Sequence, residues 1–482
     1  MDVGYLRTYT SIPNIPQINH SEVSMQLSAI PATGIRQPPT VFWQRIRYIG
    51  PSLILTATLV GSGELIVTTA FGAQAGFRAL WLIVAACFLK VAVQEEIGRY
   101  TISSGDTSLT ALNRLPGPSL GAGWAVWAWL IAVLLGVIQL GGIALTVGEC
   151  LSETIGLFEP LIWGPIVCAV CLVILFNGRY QVVEKVSTVL VSLFSISIIV
   201  SALMIQWTPY AITWAQLTEG FSFQMPRAAE FVEGGGGIAL AVVAAVGLSA
   251  TEIIYYPYWC VEKGYARWCG PNEPTDEWEA RARGWIRVMQ LDCIFAMLIY
   301  TTTTLAFYLL GAAVLHAQQI VPQKMEIITT LSAMYTETYG DWAYWLFVGC
   351  SFLVLFSTLF VSIAGYSRLL PDCFRLMGII QIDDEVSRRL WVRRFLVFCA
   401  VLFALGSQLT RLDIPPLAMI VTGILPIAVL LPIVCLAVVY LRYARLDERL
   451  RPSVLLDVWL WASVFLTSVI TLRAFQPLLE RF

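Results

Sequence analysis

A chain of 482 residues that is 57% hydrophobic and only 13% charged is not built like a soluble protein, because soluble domains carry about 25% charged residues. Its net charge of −2 argues against a nucleic-acid partner. With a mean hydropathy of +0.73, the composition points instead to an all-α polytopic membrane protein.

Residues 1–45 are mixed polar, rich in Pro, Ser and Thr, and lack the apolar run of a secretory signal. They read as a disordered cytoplasmic tail, with residues 46–482 forming the transmembrane domain. A span needs about 20 apolar residues. Eleven segments qualify, at about 50–76, 79–98, 121–147, 159–177, 182–206, 236–260, 286–315, 340–365, 390–409, 413–441 and 453–475. Breakers such as Pro116-Gly117-Pro118, Asn177-Gly178 and Pro415-Pro416 separate them. Most of the 30 Lys and Arg fall on the side of the N-terminus, while Arg78, Arg227, Lys324, Arg411, Arg473 and Arg481 fall on the other. That bias predicts a cytoplasmic N-terminus, an external C-terminus and an odd number of spans. The compact loops suggest a plasma (inner) membrane.

Glu64 stands near the middle of the first span, in Val60-Gly61-Ser62-Gly63-Glu64. A carboxylate at bilayer depth is costly and marks an ion path or a buried partner. Gly61 and Gly63 would let the helix open and turn carbonyls inward, with Ser62 and Thr58 adding hydroxyls. The structural alternative is close helix packing, with Glu64 hydrogen-bonded to a neighbour. The sixth span repeats the theme in Ser249-Ala250-Thr251-Glu252, followed by Tyr255, Tyr256, Pro257 and Tyr258. Pro257 frees a carbonyl one turn earlier, near Ile253. The alternative here is a Glu near the cytoplasmic end and an interfacial tyrosine belt. Interruptions five spans apart suggest a five-plus-five inverted repeat with helices 1 and 6 broken.

Other polar residues read as structural. Lys90 and Glu95 in the second span are five apart, so no same-face pair forms, and Lys90 is expected to snorkel or to pair with another helix. Asp292 is a partner for an Arg such as Arg287, or a relay, and Arg393 and Arg394 are inside-facing anchors or line an inner vestibule. Cys168 and Cys171 read as small core residues. His20 and His316 lie outside the apolar centres. There is no phosphate-binding loop or other catalytic signature, so neither an enzyme nor a cofactor is expected. A membrane sensor or scaffold would need a soluble output domain that the chain lacks.

Several of these positions together resemble the Nramp family of divalent-metal transporters over residues of about 45–475. Gly50-Pro51-Ser52 opens the first span, Gly72-Ala73 closes it, and the family's Asp-Pro-Gly-Asn signature falls on Gly61-Ser62-Gly63-Glu64. Gln94, Arg99 and Ser104-Gly105, then Ala364-Gly365, Arg393-Arg394 and Leu425-Pro426, fall where the family has similar residues. The resemblance implies a leucine-transporter-type (APC) fold with about 11 helices. The departures imply different chemistry. The family's Asp becomes Gly61, its Met-Pro-His falls on Thr251-Glu252-Ile253, and its acidic third-span positions fall on Gly136 and Gln139. Losing the thioether while gaining a carboxylate favours a hard ion such as Mg2+ or Mn2+ over soft metals. Losing the histidine and both acids argues against family-style proton coupling.

The sequence therefore predicts a secondary-type divalent-cation transporter working by alternating access. Glu64, Glu252, Thr251, Gly61 and Ser62 hold the ion, and Thr58, Ser249, Ile253, Gln139 and Tyr256 line its path. Its partners are the transported cation and the bilayer. The alternative is an ion-coupled carrier of a small organic solute, such as an amino acid or amine, on the same fold.

Overall fold

The computed structural model describes residues 34–61, 63–177, 179–223, 246–320 and 327–479. Proline starts the helix Pro51–Leu59 (α1), where its missing N–H costs nothing. The backbone leaves helical geometry at Val60 (ψ 68°) and resumes as Gly63–Ala75 (α2), bent by 42° from α1. The first residues of α2, Gly63–Thr68, wind as a π-helix, a rare form that concentrates at functional sites.

Leu80–Ser104 (α3) and the short Ser108–Asn113 (α4) follow. Next come Trp124–Ile155 (α5), Pro160–Leu175 (α6), Tyr180–Met204 (α7) and Trp214–Gly220 (α8). The second half holds Ala250–Lys263 (α9), Tyr265–Cys269 (α10), Asp276–Leu310 (α11) and Ile327–Tyr339 (α12). Ala343–Leu376 (α13), Glu385–Gly406 (α14), Pro416–Ala444 (α15) and Val454–Leu479 (α16) complete it. Among the described residues the only strand pairing is a two-residue hairpin, Ser119–Leu120 on Ala122–Gly123.

Among the described residues six helices, α5, α7, α11, α13, α14 and α15, are long and apolar enough to cross a membrane, or seven spans when the bent pair α1–α2 counts as one. The helix α3 has the length but carries Lys90, Glu95, Glu96 and Arg99. Two further apolar helices, α6 and Val454–Val469 of α16, are shorter. Part of the expected sixth span, 236–245, lies outside the described residues, as does most of the N-terminal tail. The exterior is apolar: Ile131, Leu134 and Leu135 of α5 and Leu193, Ile196 and Leu203 of α7 are exposed. On a soluble protein such a surface would aggregate, and in a bilayer it meets lipid.

The interrupted first span is central. Helix α1 packs among α7, α9, α11 and α13, while α5 lies along α6, α13 and α15, and α3 lies against α9, α11 and α16. Buried charge fixes this arrangement. Arg99 bridges Glu95 (2.6 Å) and Glu96 (3.2 Å), and Arg442 of α15 bridges Glu96 (2.9 Å) and Asp457 of α16. Asp292 does not pair with Arg287. Its carboxylate accepts the backbone N–H groups of Gly50 and Ser52, both at 2.8 Å, at the start of α1.

Candidate functional site

The break between α1 and α2 comes from two glycines and a close neighbour. A Cβ at Gly61 would overlap the Thr358 hydroxyl of α13 and lie 2.7 Å from the Thr58 carbonyl oxygen, so only glycine lets α13 approach there. Two α1 carbonyls meet hydroxyl donors: Thr58 donates to the Leu55 oxygen (2.7 Å) and Ser357 of α13 to the Ala57 oxygen (2.8 Å). The Gly61 N–H donates a long bond, 3.4 Å, to Glu64 Oε2.

Across from the break, residues 246–249 are non-helical and Ser249 is the N-cap of α9. Ser249 Oγ accepts the Thr251 N–H (3.1 Å), and Glu252 accepts both the Ser249 N–H (3.0 Å) and its hydroxyl. This is a capping box, in which the third helical residue reaches back to the cap. Pro257 sits inside α9 without ending it. The hydroxyl of Ser108 serves the Ile254 carbonyl at 2.6 Å, one residue beyond the expected Ile253.

The tyrosines of α9 are buried and do not form an interfacial belt. Tyr256 donates to Asp292 (3.4 Å) and Tyr258 to Asp372 (2.5 Å). The Tyr255 ring lies so close to Gly365 that a Cβ there would stand 2.7 Å from it.

Between the break and the start of α9 lies a cavity with about 60 Å³ of space open to the centre of a water molecule. Its polar wall is Thr58, Gln139, Ser249, Thr251, Glu252, Thr358, Ser362 and Tyr366, with Gly63 at the break. Leu59, Leu140, Ile424 and Ile427 supply the apolar wall. Of the residues expected from sequence, Thr58, Gln139, Ser249, Thr251 and Glu252 converge here. Gly61 shapes the break, Ile253 and Tyr256 are fully buried away from the cavity, and Ser62 lies outside the described residues. Glu64 does not line the cavity. It is fully buried behind Gly63, where it accepts the Thr304 hydroxyl of α11 (3.5 Å) and lies within electrostatic reach of Glu252.

Three lining residues escaped the sequence reading: Thr358, Ser362 and Tyr366, spaced four apart along α13. Hydroxyls at that interval on an apolar span share one face, and that spacing was the available signal. Lys90 escaped differently. It does not snorkel but is buried, with its ammonium donating to the Val246 carbonyl at 2.7 Å. Among the described residues no group of three or more His, Cys, Asp or Glu gathers, and the cavity's donors are oxygens alone.

The profile of the family described as "Natural resistance-associated macrophage protein-like" matches residues 52–476. An uncharacterized protein of Pasteurella multocida (strain Pm70) is 25% identical over 364 residues, which cover 73% of this chain and 75% of that protein. Among solved structures, a mutant of the Eremococcus coleocola manganese transporter superposes with a TM-score of 0.64 at 14% identity, covering 93% of this chain and 90% of that one. MhsT in complex with L-phenylalanine gives 0.52 at 14% identity, covering 91% and 99%. These likenesses identify the leucine-transporter-type fold. With its membrane-length apolar helices and a family match across most of its length, the chain belongs to the Nramp family: it is a multi-pass membrane transporter of the metal-ion class and not an enzyme.

Proposed function

We propose that this protein is a secondary-type transporter of a divalent cation, working by alternating access, with the ion held where α1 breaks and α9 begins. The cavity's chemistry carries the reading. Glu252, the hydroxyls of Thr58, Ser249, Thr251, Thr358 and Ser362, and the Gln139 amide face it, with no thioether, thiol or imidazole among the described lining residues. Oxygen donors suit a hard ion such as Mg2+ or Mn2+ better than a soft transition metal. The manganese transporter of similar fold is consistent with that choice.

One water needs about 10–15 Å³ by this measure, so the cavity admits a partly hydrated ion. It is far smaller than the 300–1,000 Å³ typical of organic-ligand pockets, which disfavours the amino-acid alternative. A neutral Gln139 in the wall supports transport without family-style proton coupling. Glu64 joins the site in this reading by a one-residue change of register within the π segment, which turns its side chain toward Gly63.

The same proposal takes eleven spans in a five-plus-five repeat, with the first and sixth broken. The 42° bend at the first and the non-helical approach to Ala250 support it. The Lys and Arg bias supports an internal N-terminus, an external C-terminus and residues 1–45 as a cytoplasmic tail, and the compact loops suit a plasma membrane.

In proteoliposomes the wild-type protein is expected to take up Mn2+ or Mg2+ down its gradient without acidifying the lumen. Glu64→Gln and Glu252→Gln each lower uptake at least tenfold while eluting as folded protein. Uptake at the wild-type rate by both variants would remove the site. Saturable amino-acid uptake without divalent flux would put the organic-solute carrier in its place.

A further inference from the structure

A cation transporter gains nothing obvious from an ammonium beside its binding carboxylates, yet Lys90 stands there. It lies about 15 Å along α3 from Leu80 and about 21 Å from Ser104, at 1.5 Å per residue, beyond the reach of a lysine stem to either membrane face. Its Nζ donates to the Val246 carbonyl (2.7 Å), three residues before the cap that holds Glu252. One turn back on the same face, the Cys87 carbonyl accepts the Tyr300 hydroxyl of α11 (3.1 Å). One turn beyond Tyr300, Thr304 donates to Glu64. Lys90 therefore faces the junction that holds both glutamates, and among the described residues the groups in its electrostatic reach include Glu64, Glu252, Cys87 and Cys435.

We infer that Lys90 is a built-in counter-cation that equalises the cost of carrying the site empty and loaded, so that the unloaded transporter returns without a co-transported ion. This rests on the divalent-cation reading. Two carboxylates alone are doubly negative when empty and neutral around a divalent ion. With Lys90 they are singly negative when empty and singly positive when loaded. The cost of holding net charge in a low-dielectric interior rises with the square of that charge. Without the ammonium the empty form is strongly penalised and the loaded form is favoured. With it the two forms stand nearly level. Lys90 supplies the positive charge that a bound proton would otherwise bring, and repels the substrate enough to let it leave.

The test separates net transport, which needs the empty carrier to return, from exchange, which does not. In proteoliposomes Lys90→Gln is expected to lower net Mn2+ influx into metal-free vesicles at least tenfold. Mn2+-for-Mn2+ exchange into preloaded vesicles stays within threefold of wild type, and calorimetry shows tighter Mn2+ binding by at least tenfold. Lys90→Arg, which keeps the charge, retains more net influx than Lys90→Gln. A tether with a merely structural role would lose influx and exchange together, and that parallel loss overturns the inference. So does unchanged net influx, or binding that is not tightened. Lys90→Met, which keeps the stem and drops the ammonium, carries the same test where Lys90→Gln fails to fold. A wild-type protein that moves neither Mn2+ nor Mg2+ in either assay refutes the underlying cation reading instead.

Discussion

At the scale of single residues, Gly61 shows how a ligand-like motif and a packing constraint share one position. The first span breaks there, yet the features that exclude other residues are the Thr358 hydroxyl lying where a Cβ would go and, behind it, the Thr58 carbonyl oxygen at 2.7 Å. Overpacking a tight contact typically costs about 1–3 kcal/mol. Gly61→Ala is therefore expected to lower the unfolding temperature and, by pushing α13 from the break, to lower transport. Thr358→Ala removes the obstructing hydroxyl, so the double variant recovers part of the stability lost by Gly61→Ala. A double-mutant cycle on thermal unfolding in detergent measures that coupling. Strictly additive effects would show that the close approach does not constrain Gly61.

At the scale of elements, the start of α1 is clamped by its neighbours. Asp292 of α11 accepts the Gly50 and Ser52 N–H groups, Lys263 of α9 donates to the Ile49 carbonyl (3.1 Å) and bridges Glu184 of α7 (2.5 Å), and Tyr265 of α10 donates to the Tyr48 carbonyl (2.7 Å). A carboxylate at a helix N-terminus satisfies orphan donors and meets the positive end of the dipole. Asp292→Ala would strand two buried N–H groups, at a cost of about 2–6 kcal/mol. Asp292→Asn, keeping one acceptor, should fall between that variant and wild type in thermal unfolding. Equal stability of all three would mean that α1 is held by the other clamps.

The turn after α15 has its own acid dependence. The Arg449 guanidinium beside Asp447 holds that carboxyl below the usual carboxylate range, with Asn272 adding a hydrogen bond. A depressed folded-state value contributes stability that is present above the unfolded value of about 3.9 and lost as pH falls through the folded one. Asp447→Asn should therefore flatten the acid limb of the stability profile, read as unfolding temperature against pH, and leave its shape near neutrality unchanged.

These clamps explain what a reader of the chain could and could not see. The glycines of the first break were legible because helix propensity is local. Ser249-Ala250-Thr251-Glu252 is equally visible, but a hydroxyl three residues before a carboxylate suits a capping box as well as a ligand set. Asp292 was read against Arg287, its neighbour in sequence, because nothing in local spacing points to Gly50, 242 residues away. Lys90 was similarly opaque, since its carbonyl partner lies 156 residues further on. Local order sets breaks and caps, whereas polar pairing between spans depends on packing.

At the scale of the whole molecule, the membrane sets topology through charge placed outside the spans, and α14 offers a compact test. Arg389 lies one turn into it and pairs with Glu385 (3.3 Å), an exposed pair of little energetic weight. Arg411 lies just past its end, exposed, in the 3-10 turn Ser407–Leu412. If α14 crosses the bilayer, the two positions face opposite compartments, and the Lys and Arg bias assigns Arg389 to the inside. The native cysteines are a favourable background, since ten are buried and Cys350 is half-buried. A membrane-impermeant maleimide applied to intact cells is therefore expected to label Arg411→Cys and to spare Arg389→Cys until the membrane is permeabilised. The reverse pattern would invert the topology, and labelling of both from outside would mean that α14 does not cross.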